Sequence, residues 1–182
     1  MKWTRRTVPY DYTNTWGITE DYYKVRKFFI ERGYCEFTYA RWDWMITHSY
    51  LEKNNVGKIG LWENNDKIVA VATFDCQLGK TYLITLPEYE YLKTEMVLYA
   101  EKNLNSNEWF GLVIPDSDID FQNIVAGMGY VATSDKGGNL GTGGNLGTYI
   151  NCHTISKADN KLCAFKRIFW GVHKLSHNLK YN

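Results

Sequence analysis

A chain of 182 residues, 45% hydrophobic and 23% charged, carries enough apolar material for one well-buried domain and a short appendage. Its formal net charge of +1 hides an asymmetry, because residues 152–182 hold six Lys or Arg against Asp159 (+5) while residues 1–151 hold 15 basic and 19 acidic residues (−4). The acidic body argues against a nucleic-acid binder, and no apolar run approaches the ~18 residues of a membrane span; cysteines 35, 76, 152 and 163 are widely spaced and fit a reduced, cytoplasmic protein.

Residues 4–8 read as a first strand. Thr19 is the expected N-cap of a helix, since Glu20 and Asp21 then occupy its first turn, where negative charge is favoured. Tyr22, Val25, Phe28 and Phe29 share one face of that helix, and Gly33 supplies the stop. A linker leads to a second helix over about residues 40–51, with Trp42, Met45, Ile46 and Tyr50 as its apolar stripe and Asn54-Asn55 as its end. Residues 58–62 and 67–74 are β-rich runs separated by Glu63-Asn64-Asn65-Asp66, a hairpin signal.

The stretch 81–104 reads as strand, bend and helix. Tyr82, Ile84 and Leu86 alternate with Leu83 and Thr85, so both faces are apolar, as in a strand buried on both sides. Pro87 stops that strand, and Leu92, Met96, Tyr99, Ala100 and Leu104 then recur at helical spacing. Residues 109–114 form another buried strand. Asp116, Ser117 or Asp118 caps a short helix holding Phe121, Ile124 and Val125, which Gly127-Met128-Gly129 ends. Residues 130–133 and a segment near 149–151 complete the strands.

This order of elements, with Pro87-Glu88-Tyr89 at the end of the fourth strand and Gly129-Tyr130 after the last helix, resembles the GNAT superfamily of N-acetyltransferases. It is most similar to the N-terminal half of tandem GNAT-like proteins. The resemblance implies an α/β (α+β) GNAT fold over residues 1–151: a mixed, mostly antiparallel twisted sheet of about six to seven strands flanked by about four helices. Residues 152–182 are then a basic, aromatic tail, and FKRIFWG at 165–171 resembles the opening of a second GNAT domain. The activity implied is acetyl transfer from acetyl-CoA to a small-molecule amine. The strand backbone at Ile84, Thr85 and Leu86, with Tyr91, Lys93 and Thr94 at the helix start, would hold the coenzyme.

Two departures from the family pattern bear on that activity. Where the family has [RQ]-x-x-G-x-[GA], whose glycines let backbone amides close on the diphosphate, residues 90–96 contain no glycine. Glu90 and Glu95 also place carboxylates at the bend, with Lys93 alone to offset them. One uncompensated like charge at ~5 Å costs about 3 kcal/mol at an effective dielectric of ~20, which takes a micromolar ligand to roughly 100 micromolar. Coenzyme binding is therefore expected to be weak. The second departure lies on the last helix. The family's general-acid tyrosine, four residues before the Gly, corresponds to Val125, and an Asn seven residues earlier to Asp118; valine can move no proton. The catalytic acid is unassigned, with Tyr82, Tyr89 and Tyr91 as candidates.

Tyr34, Phe37, Tyr39 and Trp44, with Glu36 and Asp43, fall where relatives close over the acceptor, and such a set suits a cationic or aromatic ligand. Helical periodicity already claims Trp42 for the core. The duplication GGNLGT-GGNLGT at 137–148 lacks a following Lys-Ser/Thr and a helix, so it reads as a lengthened connection rather than a phosphate loop. No metal is expected: Cys152 and Cys163 are too far apart for a closed zinc site with His173 and His177, and His48 stands alone. In the tail, Leu162, Phe165, Phe169 and Val172 share a helical face edged by basic residues, which favours docking on the acidic body or self-association. Two functions stay open: a GNAT-type acetyltransferase of weak or lost activity, and a non-catalytic module that binds a ligand or partner.

Overall fold

A computed structural model describes residues 3–8, 19–33, 35–106, 110–136 and 152–157, with backbone alone for 133–136 and 152–157. Its elements in chain order are β1 (Thr4–Thr7), α1 (Glu20–Arg32), α2 (Tyr39–Thr47), a 3-10 turn (Lys53–Lys58), β2 (Gly60–Asn64), β3 (Lys67–Asp75) and β4 (Gln77–Thr85). A second 3-10 turn (Pro87–Leu92), α3 (Lys93–Asn103), β5 (Gly111–Pro115), α4 (Ile119–Gly127), β6 (Tyr130–Lys136) and β7 (Cys152–Lys157) follow. Among the described residues this makes one seven-stranded sheet in the order β1-β2-β3-β4-β5-β7-β6. Every neighbouring pair is antiparallel except β4 and β5.

Local sequence explains most of these elements. The β2–β3 hairpin turns at Asn65 and Asp66, both at positive φ (49° and 61°), the conformation a two-residue hairpin needs and which Asn and Asp tolerate. Residues 68–74 of β3 are buried without a break, as the continuous apolar run requires of a central strand. Phe37 lies against Tyr82 and Phe29, with ring centroids 5.0 and 5.3 Å apart, and Phe29 against Trp42 at 6.2 Å, so α1 and α2 close one aromatic core over β4. Edge strand β1 is fastened by Arg6, whose guanidinium meets Asp21 of α1 at 2.5 Å and Glu63 of β2 at 2.7 Å.

Some boundaries differ from the sequence expectation. Thr19 precedes α1 as expected, yet its hydroxyl makes no capping bond; the Thr19 carbonyl receives Tyr22 N–H instead. Helix α2 stops at Thr47, because His48 turns extended and its Nδ1 accepts the Tyr50 N–H. A 3-10 turn, Pro87–Leu92, separates β4 from α3. Asp118 caps α4, its Oδ1 accepting from Phe121 N–H at 3.1 Å. The last described strand is Cys152–Lys157, which pairs with both β5 and β6, and the expected strand segment near 149–151 lies outside the described residues. The 137–148 duplication, Tyr34 and residues 158–182 lie outside the described residues.

Gly60 opens β2 where nothing larger fits. A Cβ there would stand 2.6 Å from Tyr99 Cε1 and 3.0 Å from Trp62 Cζ3. Neither ring is free to swing, since the Tyr99 hydroxyl donates to Lys58 O at 2.8 Å and Trp62 Nε1 to Glu95 at 3.3 Å. Gly60→Ala is therefore expected to lower the unfolding free energy by about 1–3 kcal/mol in urea melts. A loss below about 0.5 kcal/mol would show that the rings can move aside.

Candidate functional site: the wedge between β4 and β5

The parallel pair β4 and β5 shares three registered positions, Lys80↔Gly111, Thr81↔Leu112 and Tyr82↔Val113. Beyond them the strands part. Leu83, Ile84 and Thr85 continue against β3, and Ile114 and Pro115 continue against β7. A parallel ladder that opens in this way leaves backbone groups without a strand partner on both lips, and they must be satisfied otherwise. One is: Arg32, in the last turn of α1, sends its Nε to the Thr85 carbonyl at 2.8 Å.

A cavity of about 290 Å³ fills the wedge. Leu83, Ile84, Thr85 and Pro115 border it from the two strand ends, and its charged lining comprises Arg32, Glu36, Glu90, Lys93 and Asp118. Lys93, the first residue of α3, is 8% exposed in its side chain; its Nζ lies 2.5 Å from Asp118 Oδ2 and 3.6 Å from Glu90, and sits over the Phe121 ring at 5.0 Å. The Lys93–Asp118 pair thus ties the start of α3 to the N-cap of α4 across the mouth of the wedge.

Glu36, in the α1–α2 connection, behaves differently. Burial pushes its carboxyl up from the ordinary 4.5 to about 7; its own backbone N–H, Arg32 and Lys93 pull the other way, and Asp118 adds to the rise. Among the described residues neither Glu36 nor Arg32 takes part in an ion pair, although both line the same cavity. A carboxyl held near neutrality in a cleft is suited to exchange a proton or to receive a cation.

The residues singled out in the sequence distribute unevenly around this site. Ile84, Thr85 and Lys93 line the cavity. Leu86 is buried, and its N–H goes to Val69 O. Tyr91 is 59% exposed and Thr94 is also on the surface, so the helix start is not gathered around one point. Tyr82 is buried against Phe37; the Tyr89 hydroxyl receives Asn64 Nδ2 at 2.8 Å; and none of the three tyrosines lines the cavity. Phe37 is a core residue, whereas Tyr39 and Trp44 stand on the surface of α2 beneath the Arg26 and Arg41 guanidiniums (5.1 and 4.2 Å). Glu95 faces away from the bend, held by Arg5 at 3.0 Å and by Trp62, so Glu90 and Asp118 are the carboxylates at the mouth. Val125 is fully buried. Arg32 escaped the sequence reading because an arginine in a last helical turn reads as complement to the helix dipole. Among the described residues there is no cluster suited to a metal ion and no helix long and apolar enough to cross a membrane.

No protein-family model and no curated protein sequence matches the chain. Solved structures do. Naa50 of Arabidopsis thaliana, in complex with the bisubstrate analogue CoA-Ac-MVNAL, is similar at a TM-score of 0.51 and 11% identity, over 87% of this chain and 100% of that one. A GNAT-family acetyltransferase of Streptococcus pneumoniae gives 0.50 and 13%, over 86% and 98%.

Proposed function

We propose that this chain, which has the fold of the GNAT acetyltransferases, is an acetyl-CoA-dependent N-acetyltransferase relative in which coenzyme binding, and acetyl transfer with it, is weak or lost. The observation that carries this reading is the Lys93–Asp118 ion pair across the mouth of the wedge. A coenzyme diphosphate would need free amides and uncommitted cations. Residues 90–96 offer no glycine, Lys93 is committed to Asp118, and Glu90 and Glu36 add negative charge. Arg32 also takes the Thr85 carbonyl on the strand lip along which relatives position the thioester. The residues present do not fit the coenzyme.

The second reading, a non-catalytic module that binds a small ligand, is favoured by the wedge itself, whose volume and mixed lining suit a compact molecule. A cytoplasmic location accords with Cys35 and Cys76, both buried and unpaired.

Calorimetric titration with acetyl-CoA tests the proposal. The expected dissociation constant lies above roughly 100 micromolar, two decades weaker than a micromolar coenzyme site. Saturation in the low micromolar range, or turnover of acetyl-CoA with a simple amine, would sink it.

A further inference from the structure

Five charged side chains line the wedge, and they do not neutralise one another evenly. Lys93 answers Asp118 and, more distantly, Glu90. That leaves Arg32 and Glu36, which are opposite in sign and border the same space, with no ion pair between them among the described residues. Arg32 spends one N–H on the Thr85 carbonyl and has no further acceptor among the described residues, while Glu36 has its own backbone N–H as partner. Two unlike charges that could have paired, and instead stand apart on a cavity wall, make a receptor with a positive and a negative pole.

We infer that the wedge binds a small zwitterion, an amino acid whose carboxylate meets Arg32 and whose ammonium meets Glu36, with its carbon chain lying between the parted ends of β4 and β5. A simple anion would satisfy Arg32 but face Glu36, Glu90 and Asp118. A simple amine would satisfy Glu36 and leave Arg32 as it is. A molecule with both ends answers both poles, and a cavity of about 290 Å³ accommodates one of modest length. The raised Glu36 carboxyl supports this, because a bound ammonium would discharge its proton and remove the cost of its burial. The inference rests on the reading that coenzyme does not occupy the wedge.

The probes are the common α-amino acids and the ω-amino acids from β-alanine to 6-aminohexanoate, titrated calorimetrically into the full chain at up to about 10 mM, with butanoate and butylamine as single-ended controls. At least one amino acid is expected to saturate, with the single-ended compounds about tenfold or more weaker. Arg32→Gln and Glu36→Gln should each weaken that ligand by about tenfold or more, with thermal midpoints recorded to show that both variants fold. Near pH 6, binding should release a proton from the wild type and none from Glu36→Gln, as read from heats in buffers of different ionisation enthalpy. No saturation by any amino acid overturns the inference and leaves the coenzyme reading standing. Binding that survives both substitutions overturns it too. Tight acetyl-CoA binding that excludes the amino acid overturns both, and tight acetyl-CoA binding alongside it overturns the coenzyme reading alone.

Discussion

Glu36→Gln is expected to raise the unfolding free energy by up to about 3 kcal/mol above pH ~8 and to leave it unchanged near pH ~4. The Glu36 carboxyl titrates at about 7 in the folded protein against an ordinary value of 4.5. Between those values the folded chain keeps a proton that the unfolded chain has lost. The unfolded state thus binds fewer protons, and stability falls as pH rises through this window. Above the folded value the half-buried carboxylate carries its penalty; below 4.5 both states are protonated and the penalty is gone. Glutamine has the same shape and does not titrate, so the variant's profile should lack this descent. Urea melts of both proteins from pH 4 to 8 provide the check. Parallel profiles would mean that Glu36 is solvated and that its neighbourhood does not disfavour charge. The same linkage gives a side result: an amino acid bound at Glu36 should stabilise the wild type more at pH 8 than at pH 5. A group that costs stability across the physiological range, with no counter-ion among the described residues, is better explained by a ligand than by the fold.

The fold was largely legible in the sequence because its determinants are local. The apolar run of β3, the Asn65-Asp66 turn, Gly33 after α1 and Asp118 before α4 each act within a few residues, and each element formed where they point. Boundaries failed where a side chain bonded its own backbone, as when His48 took the Tyr50 N–H and ended α2 early. The site was legible only in part, because its geometry is tertiary. That β4 and β5 lose register after Tyr82 and Val113 depends on where β3 and β7 hold them. Spacing along the chain put Glu95 at the bend, and only the fold shows it turned towards Arg5 and Trp62. Glu36 was legible as one member of an aromatic and acidic stretch. That it has no counter-ion among the described residues appears once Arg32, four residues earlier, is seen bonded to a carbonyl of another strand.

Lys93→Met is expected to destabilise the protein by about 2–3 kcal/mol, near the low end for breaking a buried ion pair because the Asp118 side chain keeps 24% exposure. Its position sharpens the argument. A cation in the first turn of a helix opposes the helix dipole, so Lys93 gains nothing from α3 and depends on Asp118 to be tolerated there. Glu90, at 3.6 Å and 54% exposed, adds little. Asp118→Asn should cost a comparable amount, since it strands the ammonium, while the asparagine still caps Phe121 N–H. Once one partner is gone, removing the other should cost almost nothing, and the double variant should recover about 2 kcal/mol relative to the sum of the singles. Simple additivity would show that the two groups do not hold the helix starts together, and the barrier assigned to the wedge mouth would lose its ground. If the coupling is present, the same residues that fasten α3 to α4 are those that deny a diphosphate its cation. Retaining the fold and losing the coenzyme would then be two consequences of one contact.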